Sequence, residues 1–401
     1  MKNILIYTEN YQRGGGNQYL VDIINNIPNQ YSIDIVSNKG GIFKEDFLKL
    51  TGEYHYNQVS IYSLPKFYNY FNSFFSNNYF MFFIKFLLLL FRFPLLIAFK
   101  ILNSHTLSKQ LNKKKYDLII ACNGGFPGGV SCLDCVEVAN KLNIAIWLTV
   151  VSMPQKKSLI DLIYSKTLKK IDTLIVNSHF ISKAFIESRG VEISKIKVLH
   201  NCLPNEIINK VAVSQKHYNT TGEKYVLGYV GRIEKAKGIF YLLEAFVPLS
   251  KKFTNLKLKL VGTGDDIDEA VEYCKIKGIT DNVEFTGFYS GNINDVMKSF
   301  DLFVFPSLWE GLPYSILEAM ANSKLVVSTN VGGIPEIITD GVNGFLVEAA
   351  NSNAIFEKLE FVLEEFTDYN TAVNKSLSTI QTEFSEDNFR NKLHVLFRNY
   401  H

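Results

Sequence analysis

Short apolar runs bounded by glycine, proline or polar residues recur at 3–8, 32–37, 59–64, 117–123, 144–150, 173–178 and 195–201. Between most of them lie stretches with apolar residues at helical spacing, such as 18–26, 158–171 and 180–189. A polar segment, 214–223, reads as a linker. It separates a second series of runs at 225–230, 256–261, 283–287, 301–307 and 324–330, with helical patterns at 315–322 and through the tail, 352–400. Strands that alternate with helices predict parallel, doubly wound sheets. A chain of 401 residues also exceeds the size, about 250–300 residues, at which one core stops growing. Two α/β domains are therefore expected, 1–205 and 206–385.

In such sheets ligands bind at the carboxyl ends of strands, where helix N-termini also point. The loops at those ends carry the candidate chemistry. After the first strand comes a glycine-rich turn with Gly15 and Gly16, where backbone can approach a ligand. The turn has no GxGxxG, so a dinucleotide fingerprint is not supported. The run 225–230 leads into Gly231-Arg232, then Lys237-Gly238, a guanidinium and an ammonium suited to phosphate oxygens. The run 256–261 leads into Gly262-Thr263-Gly264, where backbone can meet a nucleoside, and Phe288 with Tyr289 offers a ledge for a base. Glu310 stands in the loop after 301–307, Gly311, Leu312 and Pro313 lead into a short helix, and Glu318 lies inside that helix. The place suits an anionic ligand, with Glu310 beside it for chemistry or hydroxyl recognition.

Composition narrows the picture. A formal net charge of +3 argues against a nucleic-acid partner. Five cysteines are too few and odd in number for a disulfide framework, so a reducing, cytoplasmic setting is expected. Cys132 and Cys135 form a CxxC without a second pair, which reads as part of a structural helix. The first ten residues meet Glu9 too early for a signal peptide. Asp266 and Asp268 sit at a helix start, where acids favour the dipole, and are assigned to capping; no metal site is expected.

The stretch 79–102 is long enough to span a bilayer, but Lys85, Arg92 and Lys100 interrupt it. A span would also put strands of one sheet on opposite sides of the membrane. The three cations fall within about 80° on a helix, an interfacial pattern that predicts a membrane-surface contact. A buried helix and its neighbour, broken at Pro94, is the alternative.

Glu310-x7-Glu318 enclosing Gly311 and Pro313, followed by Gly332-Gly333 and Pro335-Glu336, resembles the retaining GT-B glycosyltransferases of family four. The resemblance runs from about Asn3 to Phe397 and is strongest over 226–347. It implies the GT-B fold, two Rossmann-like domains facing a cleft, with the last helix, 386–401, packed back on the first domain. It implies a donor that is a nucleotide diphosphate sugar, UDP- or GDP-linked, with no cofactor and no metal. Arg232 and Lys237 would grip the diphosphate with the N–H groups near 311–314, and Glu318 would hold the ribose hydroxyls. Glu310 would lie at the donor sugar as base, nucleophile or ion-pair stabiliser, and Gly15 and Gly16 would face sugar and acceptor. The implied acceptor is a hydroxyl of a glycan or of a polyprenyl- or lipid-linked sugar, in bacterial surface polysaccharide synthesis on the inner face of the membrane. Two features depart from the pattern: Val151 stands where relatives usually carry histidine, and Gln18 where many carry glutamate. A sugar-nucleotide epimerase on the same fold and a non-catalytic partner subunit are the alternatives.

Overall fold

The computed structural model describes residues 2–11, 14–41, 43–52, 54–63, 78–208 and 224–400. The chain divides into two units, Met1–Leu199 with Leu393–His401, and His200–Lys392. The first holds β1 (Lys2–Thr8), β2 (Tyr31–Asn38), β3 (His55–Val59), β4 (Leu118–Asn123), β5 (Ala145–Val150), β6 (Thr173–Val176) and β7 (Ile196–Val198). They form one sheet in the order β3-β2-β1-β4-β5-β6-β7, every pair parallel. The second holds β8 (Tyr225–Val230), β9 (Leu256–Val261), β10 (Val283–Gly287), β11 (Leu302–Phe305), β12 (Leu325–Thr329) and β13 (Phe345–Val347). Their order, β10-β9-β8-β11-β12-β13, repeats the same scheme. Strand order therefore reverses twice, between β1 and β4 and between β8 and β11. At such a switch point neighbouring loops diverge to opposite faces and leave a crevice.

Central strands are buried on both faces, as β11 and β12 are along their whole length, so they appear in sequence as unbroken apolar runs. The edge strand β3 does not. Its residues are His55, Tyr56, Asn57, Gln58 and Val59, whereas the apolar run at 59–64 begins only at the strand's last residue. Ile61 beyond the strand's end is buried in the same core, so the apolar run starts four residues later than the strand. Residues 64–77, like the linker expected at 214–223, lie outside the described residues.

The division at 199/200 precedes the expected 205. The amide of Asn201 donates to the Leu312 carbonyl at 2.5 Å, and Leu203 N–H donates to Phe384 O at 2.9 Å, so the second unit captures this segment. At the other end, Phe397 packs on Tyr31 and Trp147, each at 5.0 Å between ring centroids, inside the first unit.

The stretch 79–102 lies in one helix, Asn78–Leu111, which runs through Pro94 without breaking. Leu96, Phe99, Asn103 and Leu107 face inward. Asn103 holds both backbone groups of Tyr62 and donates to Asp134 Oδ2 at 3.0 Å. Asp134 lies in the helix Val130–Lys141, and burial pushes its carboxyl up to about 7. Lys100 does not join an outer basic face. Its ammonium donates to Ile163 O at 3.2 Å and lies 4.3 Å from the Tyr164 ring centroid, because a later helix, Leu159–Tyr164, packs beside it. Among the described residues no helix is long and apolar enough to cross a membrane.

Candidate active site

In the second unit the switch point is built from loops that interlock through their backbones. Gly231 N–H donates to Val261 O at 3.0 Å, Ile233 N–H to Thr263 O at 3.0 Å, and Leu308 N–H to Ala236 O at 3.1 Å. Gly238 has φ +70°, and a Cβ there would stand 1.8 Å from the Pro306 carbonyl oxygen. Only glycine lets the loop after β8 lie this close to the loop after β11. Gly332 does the same against Glu310, whose carbonyl oxygen would meet its Cβ at 2.0 Å. Gly333 N–H then donates to Gly311 O at 2.9 Å.

These contacts set Lys237 against Glu310. Lys237 Nζ lies 2.6 Å from Glu310 Oε1, with the two side chains only 16% and 12% exposed. Ser307, fully buried, donates its hydroxyl to the same oxygen at 2.8 Å. Its own carbonyl accepts from Thr329 Oγ1 at 2.5 Å. The pair therefore joins a loop following β8 to a loop following β11, across the switch point. Pro313, extended at φ −76°, is the N-cap of the helix Tyr314–Ala321, one position ahead of the first turn expected for it. That helix start sits next to the ion pair in sequence.

Arg232 is placed differently from Lys237. Its guanidinium bonds Glu234 Oε1 at 2.6 Å and is 54% exposed, while its carbonyl accepts the buried Tyr229 hydroxyl at 2.8 Å. Gly264 is pressed against the Ile233 carbonyl, which a Cβ would meet at 2.2 Å. Phe288 is 59% exposed at the carboxyl end of β10. Asp266 takes the N-cap position expected of it, but its carboxylate accepts Lys235 N–H at 2.7 Å and not a helix amide, so it braces the loop after β8.

Glu318, in the second turn of its helix, is half-buried, and burial pushes its carboxyl from the ordinary 4.5 up to about 7. A folded-state value above the unfolded one contributes stability below pH 4.5 that is lost as pH rises through about 7. Glu318→Gln is accordingly expected to gain stability relative to the unmodified chain as pH rises from 5 to 8. Urea midpoints measured across the range check this; parallel curves would contradict it.

In the first unit, helix Gly15–Asn25 begins three residues before the expected 18, so Gly15 and Gly16 form its first turn. A Cβ on Gly16 would meet Gly124 Cα at 3.2 Å and Val151 Cγ2 at 3.4 Å. The glycine turn thus lies between the carboxyl ends of β1 and β4, and Val151 walls it. Two contributors escaped the sequence reading. Ser307 stands three residues before Glu310, the one available signal. Glu9, buried, accepts Ser131 N–H at 2.8 Å near the start of helix Val130–Lys141, and burial raises its carboxyl.

Residues 212–376 match the family described as glycosyl transferases group 1. The fold of the chain is GT-B. An uncharacterized glycosyltransferase of Methanocaldococcus jannaschii is 35% identical over 167 residues, 41% of this chain and 42% of that protein. The N-acetylgalactosamine-N,N'-diacetylbacillosaminyl-diphospho-undecaprenol 4-alpha-N-acetylgalactosaminyltransferase of Campylobacter jejuni is 30% identical over 52% of this chain and 54% of its own length. The chain spans about half the length of the curated relatives it matches. Over its whole length it resembles in fold an Anabaena protein solved with UDP and glucose, with TM-score 0.73, 18% identity and coverage of 99% of this chain and 100% of that one.

Proposed function

We propose that the chain is a retaining, metal-independent glycosyltransferase that moves a sugar from a UDP- or GDP-linked donor to a hydroxyl of a glycan or lipid-linked acceptor in bacterial surface polysaccharide synthesis. The observation that carries the reading is the Lys237–Glu310 pair, set across the switch point beside a helix N-terminus. Lys237, with Arg232 recruited from Glu234 and the N–H groups near 311–314, stabilises charge on the leaving diphosphate, the kind of preorganised electrostatics that dominates many barriers. Glu318 accepts hydrogen bonds from the ribose hydroxyls, and Phe288 flanks the base. As the acceptor oxygen bonds to the anomeric carbon, the bond from that carbon to the diphosphate oxygen breaks. The acceptor proton passes to the departing diphosphate on the same face. Glu310 stabilises the cationic sugar in between.

The diphospho-undecaprenol acceptor in the name of the Campylobacter relative supports a lipid-linked acceptor here, and with it action on the inner face of the membrane. UDP in the Anabaena structure supports a nucleotide diphosphate donor. The test is turnover of a panel of UDP- and GDP-sugars, with and without EDTA, followed by NMR of the new anomeric centre. Unchanged rates in EDTA and a retained anomer are expected; an inverted anomer overturns the mechanism. Val151 at the glycine turn favours one second reading, a non-catalytic partner subunit, which would release no nucleotide from any donor.

A further inference from the structure

The helix Asn78–Leu111 carries an apolar face turned away from the first unit. Phe93, Ile97 and Ile101 are 39%, 39% and 65% exposed at the i, i+4 spacing of one helix side, and Leu102, 45% exposed, widens it. Pro94 and Ala98, also exposed, fill the gaps between them. Leu162, 68% exposed on the short helix that receives Lys100, extends the patch. Scattered exposed apolar residues are ordinary, but a continuous strip of this kind marks a binding surface.

Charge identifies the occupant. From Glu53 to Asp117 the intervening sequence has eight Lys or Arg and no Asp or Glu. Lys156, Lys157, Lys166 and Lys169, all exposed, flank the helix that carries Leu162. Asp161, the acid next to Leu162, is held by Arg189, so an apolar strip flanked by these exposed lysines matches the boundary of an anionic bilayer, with side chains among the acyl ends and ammonium groups on phosphates.

Length then gives the orientation. The helix has 34 residues, about 51 Å, whereas β4 has six, about 20 Å. It ends at Leu111 just ahead of the start of β4 at Leu118, so its beginning points the way the carboxyl ends of the strands point. Ending beside the start of β4 and more than twice its length, the helix carries its first turns past the carboxyl ends of the strands.

We propose that this face seats the first unit on an anionic lipid surface, with the glycine turn at the carboxyl ends of β1 and β4 held close to the headgroups. The choice of acceptor, a lipid-linked glycan, rests on the reading under Proposed function; the docking face does not. Lys100 is excluded from the lipid contact because Ile163 and Tyr164 occupy it.

The experiment is co-sedimentation of the full chain with phosphatidylcholine vesicles, with and without phosphatidylglycerol. The variants are Ile97→Asp/Ile101→Asp and, as control, Ile276→Asp, whose side chain is 73% exposed in the second unit. Binding to the anionic vesicles, weakened by salt, is expected, with a loss of at least about tenfold in the double variant and none in the control. Thermal melting and donor turnover in solution should stay unchanged, which separates lost docking from lost folding. An unmodified chain left in the supernatant overturns the proposal, as does a double variant that binds normally. So does a chain that dimerises through this face, seen as a monomer only in the double variant and without vesicle binding. Vesicle binding with no turnover of any donor would sink the transferase reading and leave the docking face standing.

Discussion

Glu310→Gln is expected to lower kcat by about 10²–10³-fold while changing donor affinity by less than about threefold. Gln keeps the shape and still offers an oxygen to Ser307, 2.8 Å away, and to Lys237, 2.6 Å away. What it lacks is the negative charge, so the loss should appear where a cationic sugar forms and not where the donor docks. Glu318→Ala should show the reverse, a raised donor KM with kcat little changed, because that carboxyl lies in the helix behind the loop. Steady-state kinetics with a single donor distinguishes the two. If both substitutions raise only the donor KM, the division of roles between the glutamates fails.

Much of the architecture was open to reading because parallel strands buried on both faces leave continuous apolar runs, as 325–329 and 302–305 do. The edge strand His55–Val59 escaped for the same reason in reverse: half-exposed, it is polar, and the apolar residue Ile61 that follows it is buried in the core. At the site, the loops and their glycines were legible because close backbone approach demands glycine. Their pairing was not. Nothing in a separation of 73 residues announces that Lys237 and Glu310 share a bond, or that Arg232 turns instead to its near neighbour Glu234. The long helix shows the same limit. Periodicity put Lys85, Arg92 and Lys100 on one side, but which side faces out was decided by Tyr164, an element met much later in the chain.

Lys237→Ala should weaken binding of a nucleoside diphosphate by about 10–100-fold, the range set by losing a charge-assisted hydrogen bond of about 1.5–3 kcal/mol. Arg232→Ala should cost about tenfold or less, because its guanidinium is over half exposed and must leave Glu234 to reach a ligand. The bare nucleoside should bind both variants almost as it binds the unmodified chain. Titration calorimetry with uridine, guanosine and their diphosphates reads all of this directly. The ion pair adds a second signature. Alone, Lys237→Ala leaves the largely buried Glu310 carboxylate with Ser307 and no cation, so the variant should also lose stability. Adding Glu310→Gln removes that stranded charge. The double variant should then be more stable than Lys237→Ala by itself, a coupling visible in urea midpoints. Affinity for the diphosphate should not return with it, because the cation that holds the phosphate is still missing. Equal losses for nucleoside and diphosphate would mean that Lys237 shapes the loop and does not hold the phosphate.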